Sequence, residues 1–391
     1  MTASPQLHLL WLTEHYYPGQ GGMARSCDRI VQSLRALGVC IDVIHFTPRA
    51  QTWTFERKYQ GRYLACPLDD DVPHTLQCLW NRLATDPARQ TLTHVVAFGG
   101  FVPLLAAPTY AAWLNVPLVT LLRGNDFDMG LFTPGRRAIL REALERAARV
   151  CVVSRDNVAS IHALWPQAHA GWIPGGIDLA TWHPLPSEQQ RAMAWRHHTV
   201  APERRVLGLF GSLKKKKGGP FFLQALHDSG CSQRFHLLCI GMFEETTLHW
   251  LEAHRAEVPY TLYPFMERFA LLQYYLACDL LVLPSFYDGF PNVLLEALAL
   301  GRPVLASTAG GMGDVLHDGQ HGFLFAPGDP HACRSAIQRA ATAPDDTLRH
   351  MGEACQSLVR AELQAGLEAE RYHAILLATH AQSAPMPQCP R

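Results

Sequence analysis

The chain has 391 residues, 48% of them hydrophobic and 17% charged, and its 34 lysines and arginines balance its 34 aspartates and glutamates. That length predicts two domains, that composition excludes a disordered chain, and a net charge of zero argues against a nucleic-acid partner. The 11 cysteines are scattered, odd in number and without a Cys-x-x-Cys pair, which speaks against a zinc cluster or a disulfide framework and for reduced thiols.

The opening run MTASPQLHLLWLTEHYYPG lacks a basic n-region, and its apolar stretch is short and interrupted by His8. It reads as a first β-strand rather than a signal peptide. No stretch approaches the ~20 apolar residues of a membrane span, so the expectation is a soluble protein, or one that sits on a membrane surface. A glycine loop and helix follow, ended by Gly38, then the strand IDVIHF, an edge strand GRYLACPL and the helix HTLQCLWNRLAT. THVVAF and PLVTLL are strands, RRAILREALERAAR a helix, and VCVVS a strand whose Ser154 caps the next helix. After WIPGGIDLATWHPLPSEQQ, rich in Gly and Pro and then polar as linkers are, the alternation restarts at RRVLGLFGSL and runs to a mostly helical end from Pro330. Strand–helix alternation predicts parallel sheets with helices on both faces, and hence two doubly wound α/β domains joined near residues 180–200. In such sheets ligands bind beyond the carboxyl ends of the strands.

Five stretches carry candidate chemistry. In PGQGGMARS, Gly21 and Gly22 open a helix, where free N–H groups favour anions; an ordinary glycine turn is the alternative. Dinucleotide binding is disfavoured, because Ala24 stands where a last glycine would be and Asp42 lies at the start of the second strand, not its end. In GSLKKKKGG, Lys217 beside the glycines is the best candidate to hold a diphosphate; a solvated basic loop is the alternative. In FYDGFPNVLLEALALGRPVLAS, residues 292–300 read as a helix with the Gly289–Pro291 turn at its N-terminus. Asp288 at that turn can accept two hydroxyl hydrogen bonds, and Glu296 in the apolar helix suits a ribose diol, since a buried carboxylate needs a partner. The alternative for Glu296 is the polar stripe of an amphipathic helix. In TLLRGNDFDMG, Arg123, Asn125, Asp126 and Asp128 follow a strand; two aspartates match a metal site weakly, and a capped turn is the simpler reading. Finally, Arg136, Arg137, Arg141, Arg146 and Arg149 are read as a basic helix that could touch anionic lipid, although Glu142 and Glu145 make a solvated face the simpler reading.

In order and spacing, these motifs resemble the GT-B glycosyltransferases of family 4, the group 1 retaining enzymes, over nearly the whole chain. The family's GG loop matches Gly21–Gly22, and its HG-x-D matches Arg123-Gly124-Asn125-Asp126. Its NGID matches Gly175-Gly176-Ile177-Asp178, and its GRL…KG matches Gly211-Ser212-Leu213 with Lys217-Gly218. Its E-x7-E block matches Asp288 to Glu296, followed by Gly301-Arg302-Pro303-Val304, Gly310-Gly311, Asp318-Gly319 and Gly322.

The resemblance implies two Rossmann-like domains facing a central cleft: residues 1–184 on the acceptor side, 200–365 on the donor side, and 366–391 as a helix packing back on the N-terminal domain, then a tail. It implies transfer, with retention, of a sugar from a nucleotide diphosphate to a hydroxyl acceptor, in polysaccharide, lipopolysaccharide or glycoconjugate synthesis. Asp288, Gly289, Phe290 and Pro291 would hold the sugar, Glu296 the ribose and Lys217 the diphosphate, with Gly211, Ser212 and Asn292 also in the donor site. Gly21 and Gly22 would serve the donor and face the acceptor; Lys217, Asp288, Arg123 and Asp126 are the catalytic candidates. No cofactor or metal is expected. The expected partners are a nucleotide sugar and a sugar or glycolipid acceptor, without nucleic acid, in the cytoplasm or at the inner face of its membrane; the oligomeric state is not legible.

Three departures stand out: Asp288 replaces the usual Glu, Ser212 the phosphate-binding Arg, and Arg123 the His. Lys214, Lys215 or Lys216 would then have to supply the missing charge. An epimerase of the same fold and a non-catalytic nucleotide-sugar scaffold remain as rival readings.

Overall fold

Runs such as HLLWLT and LLVL have no polar side, so strands made from them must be covered on both faces. The computed structural model describes residues 6–19 and 21–383. The chain divides at Pro174/Gly175 and again at Gln364/Ala365 into two units.

Unit 1 holds β1 (His8–Thr13), β2 (Cys40–Thr47), β3 (Thr54–Lys58), β4 (Gly61–Pro67), β5 (His94–Phe98), β6 (Leu118–Leu122), β7 (Arg149–Val152) and β8 (Ala170–Trp172). They form one sheet in the order β3-β4-β2-β1-β5-β6-β7-β8. It is parallel except where β3 runs antiparallel to β4. The two-residue period of β1 sends Leu10 and Leu12 to one face, with Phe46, Val102 and Leu140, and Leu9 and Trp11 to the other, with Ile30, Leu34 and Tyr372. The second face is covered by the helix Gly22–Ala36 and by the last helix, Ala365–Ser383. Ala24, Cys27, Ile30, Val31 and Leu34 make the buried stripe of the former at helical spacing. Ser154 caps its helix as expected, accepting from the Asn157 N–H at 3.1 Å.

Unit 2 holds β9 (Arg205–Leu213), β10 (Phe235–Phe243), β11 (Tyr260–Tyr263), β12 (Leu280–Leu283), β13 (Val304–Ser307) and β14 (Gly322–Phe325). All are parallel, in the order β11-β10-β9-β12-β13-β14. Leu207, Leu209, Phe222, Val282, Leu305 and Phe323 belong to its core. The order matters for function. From β9 the chain builds outward one way through β10 and β11, then returns to build the other way from β12. The strand order of unit 2 therefore reverses between β9 and β12, and that of unit 1 between β1 and β5. Loops diverge there and leave a crevice at the carboxyl ends.

Three local expectations need correction, and one short strand carried no signal to read. GRYLACP is not an edge strand: β3 lies outside it, wholly exposed, in a segment without an apolar period. β8 is three residues long, too short to show a pattern. The polar run read as linker contains a helix, Pro186–Thr199, in which only Glu188 and Ala192 are buried; Glu188 accepts from the Leu185 N–H at 2.7 Å at its start. Arg149 is the first residue of β7, not part of the basic helix, which is Pro134–Glu145. The tail expected beyond the last helix, residues 384–391, lies outside the described residues. Among the described residues no helix is long and apolar enough to cross a membrane, and ten cysteines are free thiols.

Candidate active site

The crevice between β9 and β12 is built by two loops that hold each other. After β9 the chain makes a tight turn through the lysines, with the Lys217 N–H on the Lys214 carbonyl at 2.7 Å. Glu244, beyond β10, accepts from the Lys215 N–H at 2.9 Å. Gly218 closes the turn at φ 69°, with the Pro284 carbonyl where a Cβ would sit, so only glycine fits. The Phe286 N–H donates to the Lys216 carbonyl at 2.9 Å, lacing this turn to the loop after β12. The result is an ion pair between Lys217 Nζ and Asp288 Oδ2, across 71 residues of sequence. Asp288 Oδ1 accepts from the Gly289 N–H at 3.0 Å. Lys216 lies over the ring of Tyr287 at 5.5 Å, and Lys214 and Lys215 are exposed. Gly211 and Ser212 sit within β9, in register with Gly241 and Met242.

Behind this pair lies the helix Asn292–Ala299, with Pro291 at its N-cap and Phe290 buried. Glu296 is 4% exposed, and the Tyr275 hydroxyl donates to its Oε2. Tyr275 is itself locked, edge-on to Phe210 at 4.7 Å and to Trp182 at 5.8 Å. Glu296 is therefore not a surface stripe residue but a buried carboxylate with a fixed hydroxyl donor. The structure thus brings Lys217, Asp288, the Gly289–Asn292 turn and Glu296 together at one end of unit 2. Tyr275 was not legible as part of this set, because a tyrosine in QYYLACD carries no spacing signal.

In unit 1, exposed Gly21 and Gly22 begin the helix Gly22–Ala36. The Asp126 carboxylate accepts from the N–H groups of Arg123 (2.9 Å), Gly124 (2.8 Å) and Phe127 (3.1 Å), which makes it the cap of its own turn. Burial raises its carboxyl above the ordinary range against the pull of these N–H groups. The Arg123 side chain turns inward: Nη1 donates to Glu368 Oε1 at 3.3 Å and to the Tyr372 hydroxyl at 3.1 Å, both on the last helix. Burial opposes its charge, but Tyr372, Glu368 and Asp126 outweigh it and raise its pKa. Glu14 was missed in the sequence. Its Oε1 accepts from the Phe101 and Val102 N–H groups at 3.1 and 2.6 Å, so a carboxylate already occupies the N-terminus of the helix Phe101–Leu114, which follows β5.

Among the described residues, His8, Cys40 and Asp42 bring potential metal ligand atoms within 4.8 Å of one another. They lie at the amino ends of β1 and β2, and Asp42 is paired there with Arg62 and His8. This group is at the wrong end of the sheet for the crevice.

Residues 20–181 match the family model described as Glycosyltransferase Family 4, and residues 204–343 the model Glycosyl transferases group 1. The chain belongs to the group 1, family 4 glycosyltransferases. It is 25% identical to the putative teichuronic acid biosynthesis glycosyltransferase TuaC of Bacillus subtilis, over 85% of this chain and 89% of that one. It is 33% identical to D-inositol 3-phosphate glycosyltransferase of Xylanimonas cellulosilytica, over 45% of this chain and 43% of that one. It therefore spans about half the length of the inositol-phosphate relatives it matches. Sucrose-phosphate synthase from Thermosynechococcus elongatus superposes with a TM-score of 0.79 at 18% identity, covering 96% of this chain and all (100%) of that one. Anabaena HepE in complex with UDP and glucose gives 0.75 at 18% identity, covering 95% and 100%. The fold is GT-B.

The Gly310–Gly311 pair of the family pattern has a direct physical job here. The Gly311 N–H donates to the Gly289 carbonyl at 2.8 Å, and Gly310, at φ 54°, leaves no room for a Cβ beside the Asp288 carbonyl. Gly310→Ala is expected to cost more than the about 1–3 kcal/mol of a residue held in a sparsely populated backbone region, because the Asp288–Gly289 loop must also move. Melting temperature and nucleotide affinity should fall together; a variant that melts lower but binds nucleotide as before would separate this glycine from the site.

Proposed function

We propose that this protein transfers a sugar from a nucleoside diphosphate to a hydroxyl acceptor with retention of configuration. The observation that supports it most is the Lys217–Asp288 pair astride the β9/β12 crevice, with Glu296 buried behind it. A leaving diphosphate gains negative charge as the anomeric carbon gains positive charge, so the site needs cations on the phosphates. Lys217 meets that need by exchanging Asp288 for the diphosphate. Asp288, so released, accepts hydrogen bonds from the sugar hydroxyls, and Glu296, oriented by Tyr275, receives those of the ribose. The N–H groups at the start of the helix Asn292–Ala299 complete the cradle. Arg123 and Asp126 act on the shape of the unit 1 surface rather than on reacting atoms. With lysines supplying the charge, no metal is required, and chelation should leave the rate unchanged.

A panel of UDP-, GDP-, ADP- and dTDP-sugars tests the reading, first by thermal shift and then by product analysis with sugar acceptors. Stabilisation by one donor and a product of retained anomeric configuration are expected. Donor turnover without acceptor would favour an epimerase, and binding without any turnover a scaffold. Relatives named for teichuronic acid synthesis and for lipopolysaccharide core mannosyl transfer support an acceptor in cell-envelope carbohydrate.

Membrane contact has one specific observation in its favour. Phe132 is 88% exposed, with exposed Met129 one turn before it and exposed Arg136, Arg137 and Arg141 after it, and no acidic residue between Met129 and Arg141. An apolar tip flanked by arginines suits an anionic bilayer at the cytoplasmic face, where a glycolipid acceptor would lie. Flotation with phosphatidylglycerol vesicles, but not phosphatidylcholine, is expected, and Phe132→Ser with Arg137→Ala should abolish it. Equal recovery with both lipids, or none with either, would remove this contact.

A further inference from the structure

Glu368 is 1% exposed and stands one turn into the last helix, just after the chain has passed from unit 2 into unit 1. Its two oxygens are divided between two arginines. Oε2 accepts from both Arg29 Nε at 3.2 Å and Nη2 at 2.9 Å, while Oε1 accepts from Arg123 Nη1 at 3.3 Å. Tyr372, one turn on, gives Arg123 its second acceptor at 3.1 Å. Each arginine belongs to a different candidate element. Arg29 lies about two turns into the helix that Gly21 and Gly22 open. Arg123 directly follows β6, and its own N–H is one of those that Asp126 gathers.

We propose that Glu368 is a positioning residue that sets the glycine-loop helix and the turn after β6 in one fixed relation. A buried Arg–Glu–Arg set contributes little more to net stability than apolar residues of the same volume would. What it supplies is geometry. Arg29 holds Oε2 through two N–H groups, so Oε1 is the oxygen that meets Arg123, and the plane of one carboxylate ties the two guanidinium positions together. If either guanidinium moves, the carboxylate must leave the other, in a place with almost no water to replace it. The histidine position of the family pattern thereby has a different use in this chain: Arg123 works through Glu368 and not on substrate.

The test is hydrogen exchange on the full chain, with Glu368→Gln beside wild type. An amide of the same shape offers one acceptor oxygen and one NH2 group, and so cannot serve both arginines. Exchange is expected to rise together in residues 21–29 and 123–128, which are far apart in sequence, while β1, β2 and β5 keep their protection. Nucleotide affinity, read on unit 2, should stay as in wild type, while kcat falls about 10–100-fold from misplacement. Arg29→Lys keeps the charge but loses the two-donor hold on Oε2, so it should also raise exchange at 123–128; it serves as well where Glu368→Gln does not fold. Exchange that rises only in the last helix, or evenly through all strands of unit 1, would overturn the proposal. The kcat arm rests on the transferase reading. If the wild type transfers no sugar from any donor, that reading fails, and the exchange arm still decides the role of Glu368.

Discussion

Lys217→Ala is expected to lower kcat by about 10²–10³-fold, the ~2.7–4 kcal/mol typical of removing one group that stabilises transition-state charge. The fold should survive. The lysine turn is held by its backbone, through the Lys217 and Phe286 N–H groups and the Glu244 carboxylate, none of which involves the Lys217 ammonium. The loss is mainly in kcat because the diphosphate gains charge as the bond to the sugar breaks, so the ammonium matters more at the transition state than in the bound donor. Lys217→Arg should recover only part of the rate, because its planar fork replaces a compact charge in a turn shaped for lysine. Steady-state kinetics with a saturating donor, beside a thermal melt, checks this. A fall of less than about tenfold, or ~1.4 kcal/mol, with normal melting would mean that another cation serves the leaving group, Lys216 being the nearest in sequence.

Glu296→Gln should weaken nucleotide binding about 10–150-fold, corresponding to the ~1.5–3 kcal/mol of a hydrogen bond to a charged group. Glutamine is the informative change. It keeps an oxygen for the Tyr275 hydroxyl, so the buried donor is not orphaned and the unliganded protein should melt close to wild type. Glu296→Ala leaves that hydroxyl without its acceptor and should lower stability by about 1–3 kcal/mol as well. The two variants therefore separate the structural from the binding role. Because every nucleotide donor carries the ribose, affinity should fall by the same factor for UDP, GDP and ADP, which calorimetry can compare directly. If the glutamine variant binds nucleotide as tightly as wild type, Glu296 is a structural partner of Tyr275 and the ribose lies elsewhere.

The order of elements was legible because parallel strands covered on both faces need unbroken apolar runs, and LLVL and HVVAF are such runs. The candidate donor residues were legible for a related reason: Asp288 and Glu296 are close in sequence, on one turn and the helix it opens. Elements with little buried surface were not legible. The exposed β3, the three-residue β8 and the polar helix Pro186–Thr199 carry no apolar period to read. The partners of the charged residues were also out of reach. Nothing near Lys217 announces Asp288, nothing near Glu296 announces Tyr275, and Arg123 is separated by 245 residues from Glu368, which turns it inward.

By itself, then, the sequence determined which of the apolar segments are strands and helices, where the strand ends carry glycine, lysine and carboxylate, and the family those motifs belong to. Only the tertiary structure decided which of these charges meet. Apolar periodicity acts within a few residues and sets local conformation. The pairing of Lys217 with Asp288 follows from β12 lying beside β9, and the capture of Arg123 from the last helix packing on unit 1, two outcomes of how whole layers bury their faces.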